Sequence, residues 1–113
     1  MEATILAAAI GSKLFHSLDA PNERKRAQEQ FPELYTDQGR RGIRTQLLVI
    51  IQTLVDDEEF VPLVGRPVGI EIVPRAVEPS PDERYLFCRL SFVESLDLGA
   101  TRELLKFCFT VKL

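Results

Sequence analysis

The chain changes its hydrophobic period once, between Val55 and Val68, and this restricts its architecture more than any other feature. Before the change, apolar residues recur three and four positions apart, as on one face of an α-helix. After it they alternate with polar residues, as in a strand with one buried side. The last segment alternates without a break: Leu105, Phe107, Phe109, Val111 and Leu113 against Lys106, Cys108, Thr110 and Lys112. It reads as a half-buried strand whose outward lysines restrain edge-to-edge aggregation.

In the helical half, Leu6, Ile10 and Leu14 recur every four residues between Glu2 and Ser17, with Ala7 and Gly11 on a neighbouring face where a second helix can approach closely. Ser17, Asp19, Pro21 and Asn22 interrupt this pattern. Asn22 or Asp19 is then expected to cap a short polar helix through Gln30, docked by Ala27 and Phe31 and ending before Pro32. Gly39, Arg40, Arg41 and Gly42 read as a flexible basic approach to the main helix. There Ile43, Leu47, Ile50, Ile51 and Leu54 fall within an arc of about 100°. Leu48 and Val55 widen that arc and Val49 points elsewhere, so the main helix is expected to be covered on more than one side.

Three strands are expected after the switch, at Val68 to Val73, Arg84 to Phe92 and Glu103 to Leu113, with Pro74 at an end or on an edge and a proline-rich polar loop over 78–83. In the second, Leu86, Cys88, Leu90 and Phe92 share one face. Tyr85, Phe87 and Val93 share the other with Arg89 and Ser91. The fold class is α+β with two layers, N-terminal helices packed on a three-stranded antiparallel meander. At 113 residues the chain suits one domain over 1–113, helical over about 1–60 and sheet over about 66–113.

Composition narrows the function classes. A net charge of -3 gives no overall attraction to phosphate backbones or anionic lipid. No apolar run approaches the ~18 residues that span a bilayer, and the early Glu2 does not suit a secretory leader, so a soluble cytoplasmic protein with no membrane partner is expected. Cys88 and Cys108 lack a paired spacing and read as buried reduced thiols, with a disulfide between neighbouring strands as the alternative. No cofactor is implied. Phosphate-binding glycine motifs and a nucleophile elbow are absent, and the single His16 with two cysteines falls short of a zinc set. Asp56, Asp57, Glu58 and Glu59 lack the alternate spacing of a calcium loop and read as a solvated boundary. No catalytic residue is assigned, and the balance leans away from an enzyme.

Charge placement carries the remaining signal. With the main helix running from about Arg40 to Glu59, its basic residues lie at the N-terminal end and its acids at the C-terminal end, against the helix dipole. Two antiparallel copies would set Arg40, Arg41 and Arg44 of one against Asp56, Asp57, Glu58 and Glu59 of the other, with Leu48, Val49 and Val55 between them. The alternative is a loop position for the acids, with the arginines paired to nearby acids such as Asp37. The leading expectation is therefore a non-catalytic interaction or assembly protein whose partner is itself or another protein, joined by this helix or by extension of an open sheet edge. Nucleic-acid binding through Arg24, Lys25, Arg26, Arg40, Arg41 and Arg44 ranks below it, because Met1 to Arg44 holds seven basic and six acidic residues. A small-molecule site or enzyme between sheet and helices, involving Arg89, Ser91 or Tyr85, is the third possibility.

Overall fold

Thr36 sets where the longest helix begins. Its hydroxyl accepts a hydrogen bond from the Gly39 amide at 3.0 Å and donates one to the Glu33 carbonyl at 3.0 Å. This N-cap satisfies an amide that the first turn leaves without a helical partner, and Asp37 in that turn suits the positive end of the dipole. The helix therefore starts at Asp37, and Gly39 to Gly42 lie inside it rather than forming a flexible approach.

The computed structural model describes residues 2–76 and 84–113, so the proline-rich loop over 78–83 lies outside the described residues. In chain order the elements are α1 (Ala3–Leu18), α2 (Pro21–Gln30), a 3₁₀ turn (Pro32–Tyr35), α3 (Asp37–Val55), a second 3₁₀ turn (Val61–Leu63), β1 (Gly69–Ala76), β2 (Tyr85–Ser95) and β3 (Thr101–Lys112). The strands form an antiparallel sheet in the order β1-β2-β3, giving the α+β arrangement that the two periodicities imply. Pro74 sits within β1, which continues to Ala76. An edge strand tolerates proline because it has one side without ladder bonds.

Helices α1 and α3 pack against each other and cover one face of the sheet. Leu6, Ile10, Leu14, Ile43, Leu47 and Ile51 meet Leu86, Cys88, Leu90, Phe92 and Val111 in one cluster, with Phe60 edge-on to Phe92 at 5.5 Å. Each such large side chain stabilises the fold by about 1.5–3 kcal/mol through burial. At Gly11 the helices come close: a Cβ there would meet Leu47 Cδ1 at 3.5 Å. The small residues of α1 thus serve the close approach that their spacing suggests. At the far end of the sheet, Glu94 accepts from Arg66 at 2.7 Å and from Arg102 at 2.5 Å, tying the segment before β1 to the β2–β3 hairpin.

Several expectations are corrected. Neither Asn22 nor Asp19 caps α2. Ala20 holds the N-cap without a side-chain bond, Pro21 supplies the first helical position, and the Asp19 carboxylate is occupied by Arg40. Helix α3 ends at Val55, with Asp56 at its C-cap, so the acids follow the helix instead of forming its last turn. Val49 is 61% exposed, leaving that side of α3 uncovered. Cys88 is buried but Cys108 is exposed, because it alternates with the lysines on the sheet face that no helix covers. The register sets Cys88 against Phe109 and Cys108 against Arg89, so the thiols project from opposite faces and form no disulfide within the chain. Burial pushes the Cys88 thiol up to about 12, leaving it inert. Tyr85, Arg89 and Ser91 share the uncovered face by alternation, not a cavity between sheet and helices.

The cap makes one position intolerant of any side chain. A Cβ on Gly39 would run into the Glu33 carbonyl oxygen and come within 2.9 Å of Thr36 Oγ1. Gly39→Ala should destabilise the fold by about 1–3 kcal/mol in urea unfolding, although alanine is the better helix former; a neutral or stabilising effect would mean that the cap does not hold this geometry.

Candidate association surface on the helical layer

The charged surface of the helical layer is organised around Arg40. Its Nε donates to the Leu34 carbonyl at 2.6 Å, and its two terminal nitrogens donate to the Asp19 carboxylate at 3.0 and 2.6 Å. The same guanidinium lies 4.8 Å from the Phe15 ring centroid and 5.4 Å from that of Tyr35. Tyr35 Oη in turn donates to the Leu18 carbonyl at 2.7 Å. One side chain therefore joins the end of α1, the 3₁₀ turn and the first turns of α3. Its bonds to Asp19 hold that carboxyl below the usual carboxylate range.

Two further arginines stack on the same rings. Arg44 lies 4.8 Å from the Phe15 centroid and Arg24 lies 5.6 Å from that of Tyr35. The order Arg24, Tyr35, Arg40, Phe15, Arg44 alternates cation and ring, an arrangement favoured by the electron-rich ring faces. It unites three residues of the candidate nucleic-acid patch that lie far apart in sequence. Lys25, Arg26 and Arg41 are exposed and stand outside the stack, and Arg26 instead borders a cavity of about 270 Å³ under α2. Asp19 neutralises the central member.

Between α1 and α3 runs a groove of about 510 Å³, bordered by Ala7, Ala8, Phe15, Arg44 and Leu48, with Ser12, His16 and Asp19 along its rim. The small residues of α1 create it by leaving the outer seam of the helix pair unfilled. His16 makes no hydrogen bond to Ser12 or Asp19 among the described residues, so the rim presents no activated hydroxyl there. Nor do the described residues include a group of three or more His, Cys, Asp or Glu side chains placed to hold a metal ion. Among them no helix is long and apolar enough to cross a membrane.

The charged residues named for self-association lie near the two ends of α3. Arg41 and Arg44 are exposed in the first half of α3, Leu48 and Val55 are half-buried, and Asp56, Asp57, Glu58 and Glu59 are exposed beyond its end. Asp57 Oδ1 accepts from the Glu59 amide at 2.9 Å, which folds the acids into a turn. Among the described residues, neither Arg41 nor Arg44 nor any of these four acids forms an ion pair. Arg40 does, and is committed to the fold. Asp19, Phe15 and Tyr35 escape sequence reading as members of this surface, since their roles depend on contacts between distant segments.

The Asp19–Arg40 pair makes stability pH-dependent in a defined direction. A carboxyl with a depressed folded-state pKa contributes stability above its unfolded value, and that contribution fades as pH falls through the folded one. Wild type should exceed Asp19→Asn in unfolding free energy at neutral pH. The gap should close as pH drops below about 4, and a gap independent of pH would assign the effect to something other than this ion pair.

No protein-family model matches the chain, and no curated protein or solved structure matches it.

Proposed function

We propose that this chain is a non-catalytic assembly protein that associates with a second copy of itself through the outer side of α3. The observation carrying this reading is the separation of charge without an ion pair among the described residues, with Arg41 towards one end of that helix and Asp56 to Glu59 just past the other. From Arg41 to Asp56 is about 22 Å along a helix axis. An antiparallel copy related by a twofold axis near residue 50 brings each basic end to an acidic end. Val49, 61% exposed, then lies close to that axis, where burial is greatest.

Arg40 takes no part, since it is already tied to Asp19. Its reversal would test folding instead of association. The three uncommitted arginines on the ring stack and α2 keep nucleic-acid binding as the second reading, which requires affinity falling steeply with salt.

Charge exchange tests the proposal. Arg41→Glu should raise the dimer dissociation constant by about tenfold, as should Asp56→Arg with Asp57→Arg. Mixing the two variants should restore association as a heterodimer, measured by sedimentation velocity. Failure of the mixture to recover, with both variants folded, contradicts the paired-end arrangement.

A further inference from the structure

Among the described residues, the outer edge of β3 is bonded by a side chain at one end and bare beyond it. Gln46 of α3 donates from Nε2 to the Lys112 carbonyl at 2.6 Å and accepts from the Lys112 amide at 2.7 Å. Both backbone groups of Lys112 therefore point away from β2, whereas the Leu113 amide donates to Arg84 on the β2 side. Backbone groups in an antiparallel strand alternate between its two sides, so those of Lys106, Cys108 and Thr110 also face outward. Apart from Gln46, no side chain among the described residues bonds to this edge between Lys106 and Lys112.

The flank of α3 beside that edge carries no charge. Gly42, Gln46, Val49 and Thr53 are spaced four, three and four residues apart, and Gln46 fixes the direction in which this flank turns. A Cβ on Gly42 would meet nothing within 4 Å, and Thr53 satisfies its hydroxyl on the Val49 carbonyl at 3.2 Å. Below this flank, Phe107 is half-buried on the covered face of the sheet.

We infer that β3 pairs antiparallel with β3 of a second copy about a twofold axis at Cys108, joining two three-stranded sheets into one of six strands. The inference rests on the self-association proposed above and adds a sheet-edge contact to it. Cys108 is the centre of the open stretch from Lys106 to Thr110. Centred there, the register opposes Lys106 to Thr110 of the copy and Phe107 to Phe109, burying the half-exposed ring. A register centred on Lys106 would instead oppose two lysines, which is unfavourable.

The same axis serves the helices. Packed helices lie about 8–10 Å apart and strands about 4.8 Å apart, so one helix covers about two strands. With α3 above β3, a strand added beyond β3 brings the two α3 helices side by side and antiparallel. Their uncharged flanks then meet. Sheet extension and helix pairing are two parts of one interface.

Disulfide trapping reads the register. Directly opposed residues of this kind have Cα atoms about 5.5 Å apart, inside the range of roughly 4.4–6.8 Å that a disulfide spans. With diamide as oxidant, the wild-type chain should crosslink through Cys108 at least tenfold faster than a Cys108→Ser, Ser12→Cys variant, whose thiol sits at an exposed position of α1. A mixture of Lys106→Cys and Thr110→Cys chains, each also carrying Cys108→Ser, should crosslink to each other faster than either does to itself. Thr110→Pro removes an outward amide that β2 does not use, and should give a folded monomer. Crosslinking at Cys108 no faster than at position 12, or a Thr110→Pro chain that still dimerises, overturns the β3 pairing. Dimers by mass without Cys108 trapping leave self-association standing and reject this geometry, whereas a monomeric wild type rejects both.

Discussion

The arrangement of the helical layer depends on one guanidinium. Arg40 reaches the carboxylate at the end of α1, the carbonyl of Leu34 in the 3₁₀ turn and the faces of Phe15 and Tyr35. Its planar fork suits this combination. A lysine could donate to Asp19, but it has no rigid second donor direction for Leu34 and no flat surface to lie between rings. Hydrogen bonds to charged partners contribute about 1.5–3 kcal/mol when well shielded, and less here because Asp19 remains partly exposed. More important than the energy is the geometry: fixing Asp19 against α3 determines how α1 crosses it, and so which residues of α3 remain outside.

What remains outside is unusual for a helix resting on a sheet. Val49 is uncovered, Gly42 stands in open space, and basic and acidic side chains without an ion pair among the described residues lie at opposite ends. Beside this flank, β3 exposes its backbone edge. Proteins protect open edges with charge, proline or a covering side chain. β1 contains Pro74, and β3 has Gln46 at one end and Lys106 near the other. The stretch centred on Cys108 has no proline and, among the described residues, no bonded side chain. A copy of the same chain meets both needs in the proposed dimer: it completes the edge and covers the flank.

Much of the fold was legible because it rests on burial, and burial leaves a period in the sequence. Leu6, Ile10 and Leu14 mark α1, and the alternation from Leu105 to Leu113 marks β3. The errors fall where a polar side chain chooses a distant partner. Nothing local distinguishes Arg40 from Arg41, yet one is an internal tie to a residue 21 positions away and the other is exposed. Thr36 capping α3 lacks the glutamate three residues later that completes a capping box; Gly39 stands there instead, because the turn before the helix leaves no room for a side chain. Cys108 was read as buried by residue type, although its place among the lysines already indicated the open face. For the candidate site, the charged ends of α3 were visible as composition. The bare flank and the orientation of the β3 edge required the Gln46–Lys112 bonds, which link residues 66 positions apart.

The central claim is that this helical layer and sheet edge are completed by a second copy. Solution mass of the wild-type chain by light scattering, over a range of protein concentration at low and high salt, tests it most directly. A dimer at low salt that loosens as salt screens the helix-end charges is the predicted result. A monomer at every concentration and salt would contradict the account and assign the bare flank to a partner of another kind.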